Sequence, residues 1–181
     1  MTRQSWQVDG AHSTVNFTVR HMVISKVHGH FAKWTAKLAL DVANLAGSSV
    51  EVEIEAASID TGVAERDAHL RSADFLDVEK HPKLTYRSTK VEVVSKDRLR
   101  VVGNLTIHGV TREVPLEVEV GGQGKDPWGN VRAGFSATAS LNRKDFGLAW
   151  NKALETGGVL VADRVDMEIE IQVVEAAAKA A

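Results

Sequence analysis

Apolar and polar residues alternate along most of this chain, and that period of two predicts strands with one buried face. Over residues 13–20, Val15, Phe17 and Val19 share a face opposite Thr14, Asn16, Thr18 and Arg20. Residues 27–41 form a longer run, with Ala32, Trp34, Ala36, Leu38 and Leu40 in phase. A turn at 44–47 leads to Val50, Val52 and Ile54, which oppose Glu51, Glu53 and Glu55. A solvated outer face accounts for those three glutamates without acid chemistry. Leu84, Tyr86 and Ser88 alternate next, but Val91 and Val93 fall in the opposite phase, so a β-bulge is expected at Thr89 or Lys90. After a turn at 95–97, Leu99, Val101, Gly103, Leu105 and Ile107 are in phase, and 108–111 reads as a tight connection. Val114, Leu116, Val118 and Val120 alternate with glutamates, and the glycines of 121–124, with Pro127 and Gly129, predict a longer loop. Val131, Ala133, Phe135, Ala137, Ala139 and Leu141 make the seventh run. Residues 142–158 follow neither period, and Val165, Met167, Ile169, Ile171 and Val173 complete the eighth.

One stretch breaks the pattern. Asp60, Thr61 and Gly62 stop the third run. Ala68, Leu70, Ala73, Phe75 and Leu76 then recur at mixed helical spacing until Pro82. Eight strands joined mostly by hairpin-length turns predict an all-β fold, an eight-stranded up-and-down antiparallel barrel. A two-sheet sandwich with shorter strands is the alternative. The segment 64–82 is a short α-helical insertion expected to plug one end, with Phe75 and Leu76 inward and Arg66 and Asp67 pinning it to strand ends.

The whole chain of 181 residues is expected to be one domain, ordered over about 6–174 with a flexible tail at 175–181. Its net charge of −2 is spread along the sequence, with no basic stripe for nucleic acid and no polybasic run for a membrane surface. There is no cysteine, which excludes disulfides, a thiolate nucleophile and a Cys-ligated metal. No apolar run has the length of a bilayer span, so stable membrane insertion is not expected. The first ten residues lack the apolar core of a signal peptide, and the expected location is the cytoplasm, or the periplasm if the sequence has been trimmed. Two N-x-T matches, at Asn16 and Asn104, sit inside strand patterns and read as chance.

Strands of such length, tilted by ~40°, give a barrel roughly 25–30 Å tall whose interior is either filled or holds one small ligand. Many in-phase positions are small, among them Ala32, Ala36, Ala56, Ser58, Ser88, Gly103, Ala133, Ala137 and Ala139, and aromatic residues are 6% of the chain. A void of ~300 Å³ at ~24 cal/mol per Å³ would cost about 7 kcal/mol. That is on the scale of a domain's whole stability, ~5–15 kcal/mol. The pattern therefore predicts an elongated apolar slot holding an elongated apolar ligand. The alternative is an interior filled by large neighbours and the plug.

Candidate chemistry is sparse. His28 and His30 share a strand face, and His21 or His69 would have to come near through the fold to complete a metal site; histidines on a barrel wall need no metal, and none is expected. Asp9, His12 and Ser13 suggest a triad, but neighbouring strand residues point to opposite faces. Arg66, Asp67 and His69 admit either acid–base work in a pocket or a structural role in pinning the helix. Arg143 and Asp145 carry the same ambiguity.

The ordered set of Trp6, Asp9, His12-Ser13, Phe17, His21, Ser25, Val27, Gly29 and Phe31 resembles a known family, and the match continues along the chain. It includes Ser58-Ile59-Asp60-Thr61-Gly62, Arg66-Asp67, His69-Leu70, Asp74-Phe75, Pro82 and Ser88-Thr89. Gly103-Asn104-Leu105-Thr106, Gly109-Val110-Thr111, Asn142-Arg143 and Asp145-Phe146-Gly147-Leu148 complete it. This set is similar to the bacterial YceI-like, polyisoprenoid-binding family. The resemblance implies a lipocalin-like barrel, no cofactor, no established catalysis, and an isoprenoid lipid or quinone-like ligand threaded inside. It is compatible with a homodimer. Together with the small inward residues it gives the expected lining: Val15, Phe17, Val19, Trp34, Leu38, Val52, Ile54, Phe75, Tyr86, Leu105, Phe135 and Phe146. Arg66, His69, Arg143 and Asp145 are candidates for contacts with a polar head. The leading expectation is a non-enzymatic carrier; the competing one is a barrel-pocket enzyme using His69, Arg66 and Asp67 on a small apolar substrate.

Overall fold

Alternation is realised as eleven strands in one antiparallel sheet, in a computed structural model that describes residues 4–176. They are β1 (Gln4–Val8), β2 (Thr14–His21), β3 (Ser25–Phe31), β4 (Trp34–Leu40), β5 (Ser49–Glu55) and β6 (Ile59–Asp60). The chain continues through β7 (Lys83–Ser95), β8 (Arg98–Ile107), β9 (Val110–Lys125), β10 (Val131–Asn142) and β11 (Val161–Glu175). The paired order is β1-β4-β5-β7-β8-β9-β10-β11, and β11 pairs back to β1, closing the ring. β11 also pairs with β2, β2 with β3, and β3 with β6. β1 with β2, β3 with β4, and β5 with β6 are thus three kinked strands. Counted as continuous lines, eight strands run up and down around a closed barrel, as the alternation predicts.

The kinks have local causes. A 3-10 turn at Gly10–His12 separates β1 from β2, capped by the Asp9 carboxylate, which accepts from the Ala11 amide at 3.0 Å. Residues 27–41, expected as one run, break at Ala32 and Lys33. There Ala32 N–H donates to the Ser58 carbonyl at 3.0 Å and Glu55 N–H to the Lys33 carbonyl at 3.0 Å. The break shifts the phase by one residue, so Phe31 and Trp34 both turn inward while Ala32 is exposed, against the expectation for Ala32. The bulge expected near Thr89 lies between Ser88 and Lys90. The loop expected over 121–129 is shorter: β9 runs to Lys125, and Gly121 is absorbed as the extra residue of a bulge opposite Gly134 and Phe135. The turn proper is 126–130, where the Asp126 carboxylate accepts from the Trp128 and Asn130 amides.

The helical expectation over 64–82 holds for its first part. α1 spans Ala64–Arg71, and the rest is a chain of turns begun by Ser72, whose hydroxyl donates to the His69 carbonyl at 2.6 Å. Phe75 and Leu76 are both 7% exposed. The segment is tied to the end of β6. Arg66 Nε donates to Thr61 Oγ1 at 2.7 Å and Arg66 Nη2 to the Thr61 carbonyl at 2.8 Å. The buried Asp67 carboxylate accepts from the Thr61 amide and hydroxyl. Arg71 donates to the carbonyls of Ala57 and Ile59. This is the pinning role expected for Arg66 and Asp67.

The main core fills the barrel from Leu84, Leu99, Leu105, Ile107, Val114 and Leu116, and a smaller cluster of Trp6, Leu40 and Val173 packs where β1, β4 and β11 meet. β11 extends into the expected tail as far as Glu175, and Ala176 N–H donates to the Ser5 carbonyl at 2.8 Å. The remainder of that tail, 177–181, lies outside the described residues. Among the described residues no helix is long and apolar enough to cross a membrane.

Candidate ligand-binding interior

Inward side chains of the barrel leave two spaces. An upper chamber of about 270 Å³ lies beneath the plug, and a lower one of about 150 Å³ lies further down the barrel. Met167, on β11, borders both. Its unbranched thioether is a flexible divider rather than a wall.

Of the twelve residues expected to line a slot, Phe17, Val19 and Phe75 border the upper chamber. Val15, Trp34, Leu38, Val52, Ile54, Tyr86, Leu105 and Phe135 border the lower one. Phe146 borders neither. It sits in a 3-10 turn, Arg143–Phe146, whose residues three apart share a face; Arg143 and Phe146 are only 3% and 1% exposed, and Lys144 and Asp145 are turned to solvent. Asp145 borders neither chamber.

Two glycines admit the large rings. A Cβ on Gly29 would fall 2.2 Å from Phe17 Cζ, and one on Gly103 would fall 2.5 Å from Tyr86 Cζ. The Tyr86 hydroxyl donates to the carbonyls of Val114 at 3.0 Å and Val101 at 3.2 Å. Burial pushes its pKa well above the ordinary tyrosine value, so it stays neutral at any working pH. The glycine in His28-Gly29-His30 thus serves Phe17 on the inner face, while both histidines are exposed on the outer face, with His28 Nδ1 3.0 Å from Thr18 Oγ1.

The upper chamber has a polar and aromatic mouth. The His69 ring meets Phe75 edge-on at 5.1 Å and Trp150 at 4.6 Å, and Phe75 lies 5.3 Å from Trp150. His69 Nε2 pairs with Asp74 Oδ2 at 2.8 Å. Arg66 and Arg143 also border the chamber. Arg143 is spent on backbone: it donates to the carbonyls of Leu148 (2.6 Å), Trp150 (2.9 Å), Ala162 (2.9 Å) and Val161 (3.2 Å). Its burial lowers its pKa, an effect the nearby Asp163 opposes. Arg143 is a staple for the aperiodic stretch, and that stretch delivers Leu148 and Trp150 to the chamber. Asp67 and most of Arg66 are likewise used on Thr61. His69, the free edge of Arg66, and Arg20 and His21 on β2 are the polar residues left along the chamber lining.

Alternation placed Leu84, Ile107, Leu141 and Met167 inward, but not which inward positions border a space. Trp150 had no periodic signal at all. The Asp9, His12 and Ser13 set forms no triad: His12 Nδ1 pairs with Asp9 Oδ2 at 2.9 Å, while Ser13 Oγ accepts from the Gln172 amide at 3.0 Å. A larger cleft of about 780 Å³ lies in the wall where β1 and β2 separate from β3 and β4, but it is open and half polar. Trp34, Ala36 and Leu38 border both it and the lower chamber, so side chains rather than paired backbone close the wall there.

A sequence model of the YceI-like domain matches residues 6–173. A UPF0312 protein of Vibrio cholerae is 41% identical over 166 residues, covering 92% of this chain and 84% of the relative. A UPF0312 protein of Azotobacter vinelandii is 43% identical over 140 residues, covering 77% and 73%. Among solved structures, Burkholderia cenocepacia BcnA superposes with a TM-score of 0.81 at 25% identity, covering 92% of this chain and 99% of that one. The Campylobacter jejuni YceI protein gives 0.77 at 31% identity, covering 87% and 90%. A polyisoprenoid binding domain from Saccharophagus degradans gives 0.67 at 13% identity, covering 96% and 99%, which is a likeness of fold.

Proposed function

The chain belongs to the YceI-like family, and from that premise we propose that it is a non-enzymatic binding protein that holds the apolar chain of an isoprenoid-type lipid, a polyprenyl chain or quinone tail, inside its barrel. One observation carries the reading: the upper chamber is walled by Phe17, Val19, Leu84, Ile107, Leu141 and Met167, with a few polar residues in its lining, His69, Arg66, Arg20 and His21 among them. Apolar walls with a few convergent polar groups are the general form of a small-ligand site. The chain of the lipid occupies the chamber and its polar head stays at the mouth beside Trp150. A chain longer than the upper chamber reaches the lower one past Met167. One protein of the same fold is described as a polyisoprenoid binding domain, which makes isoprenoids the first lipids to test.

Native mass spectrometry of protein purified without detergent from its own host is expected to show a co-purifying lipid. Protein stripped of it is expected to take up added polyprenyl lipid with a change in tryptophan fluorescence that a Trp150→Phe variant reduces. A clean apo mass together with no uptake of polyprenols or long-tailed quinones would sink the proposal.

A further inference from the structure

Outside the chamber, three side chains converge at the junction of the plug and the barrel rim. Ligand-capable atoms of Asp77, His81 and His108 all lie within 4.8 Å of one another, and each residue is half-buried. They come from two separate elements. Asp77 and His81 close the plug segment, while His108 is in the two-residue turn between β8 and β9.

Left-handed backbone occurs at two of the three, and at His108 it is what the two-residue turn requires. Asp77 and His108 have φ of 47° and 55°, in the left-handed region that residues with a Cβ seldom adopt. His81 N–H donates to the Asp77 carbonyl at 2.8 Å, which folds this pair onto one side. The His81 ring lies against Gly109, where a Cβ would stand 2.8 Å from Cε1. The two imidazoles meet at 4.8 Å, inclined by 62°. Among the described residues no hydrogen bond joins the carboxylate to either ring, and Lys80 Nζ stands 3.7 Å from Asp77 Oδ2.

We propose that Asp77, His81 and His108 bind a divalent cation of the zinc class, with water in the remaining position. Two imidazoles and one carboxylate suit Zn²⁺, whereas Mg²⁺ and Ca²⁺ favour all-oxygen sets. Bonds of about 2.0–2.2 Å around a tetrahedron hold ligand atoms roughly 3.3 Å apart, so the present cluster closes with side-chain shifts of roughly an ångström. The bound ion joins the plug to the β8–β9 turn, across a junction that the chain does not otherwise link covalently. Packing of the His81 and His108 rings against each other and against Gly109 is the competing account, and it predicts no metal dependence.

Chelator-treated protein titrated with zinc chloride in a calorimeter is expected to show one site of micromolar affinity or better, and no heat with magnesium chloride. Asp77→Asn and His108→Asn each keep a residue that tolerates left-handed backbone, and circular dichroism confirms their fold. Each is expected to weaken zinc binding by about 100-fold, the upper end of losses seen when even a supporting residue is removed. A His28→Gln, His30→Gln double variant is expected to bind as the wild type does. In the wild type, zinc should move the imidazole NMR signals of His81 and His108 and leave those of His28 and His30 in place. Binding no tighter than millimolar, affinity unchanged in Asp77→Asn and His108→Asn, or shifts confined to His28 and His30 would each overturn the proposal.

Discussion

Phe75 ties the plug to the chamber. Its ring faces His69 and Trp150 within 5.3 Å and is 7% exposed. Phe75→Ala is expected to lower stability by about 3 kcal/mol, the low end for a buried ring because this one already borders a space. Urea unfolding of lipid-free protein checks this, and a loss below about 1 kcal/mol, in the range of surface substitutions, would make the segment a loose lid. Phe75 and Leu76 point inward as expected, but from the turns after α1 rather than from a helical face, and Ala68 and Ala73, which shared the expected spacing, are exposed. The inward direction of Trp150 was not legible, because Arg143 sets its place through carbonyls up to 19 residues along the chain, and such a staple has no period.

Elements at the far end of the barrel depend on charge. Arg132 at the start of β10 donates to Asp126 in the β9–β10 turn at 2.8 Å and to Asp9 ahead of the 3-10 turn at 2.6 Å. Hydrogen bonds from His12 and then Arg132 hold the Asp9 carboxyl below its usual range, and those from Asn130 and Arg132 hold Asp126 far below it. Both carboxylates titrate lower in the folded state than in the unfolded one. Their contribution is therefore present above the unfolded value near pH 4 and is lost as pH falls through the folded values. Thermal unfolding between pH 6 and pH 2 is expected to show a falling Tm below about pH 4. Asp126→Asn should start lower at neutral pH and fall less steeply. An equally steep fall in that variant would mean that other carboxylates set the acid limit. At this scale the sequence was most readable where one phase persisted. The bulge at Ser88 and Lys90 left a clear phase change. The kink at Ala32 did not, because alanine fits either face and masks the one-residue shift.

Across the whole molecule, eight continuous lines close a barrel whose interior is divided near one methionine. Small inward residues announced free space but not its division, since that depends on which large side chains of different strands meet at one height. Met167→Trp is expected to leave short apolar chains binding in the upper chamber while weakening longer polyprenyl chains by tenfold or more. Met167→Ala should favour the longer ones. Competition between lipids of graded length reads both, and indifference of chain length to either change would remove Met167 from the path. The three kinked strands are consecutive in sequence and adjacent in the ring, whereas β7 to β11 run 10 to 16 residues each without a break in the strand. Stiffness is thus unequal around the circumference. One part is five long strands whose pairing is interrupted only by bulges. The other is three pairs of short rods meeting at bends, so a guest that strains the interior is expected to be accommodated mainly there, widening the cross-section into an oval along one fixed direction.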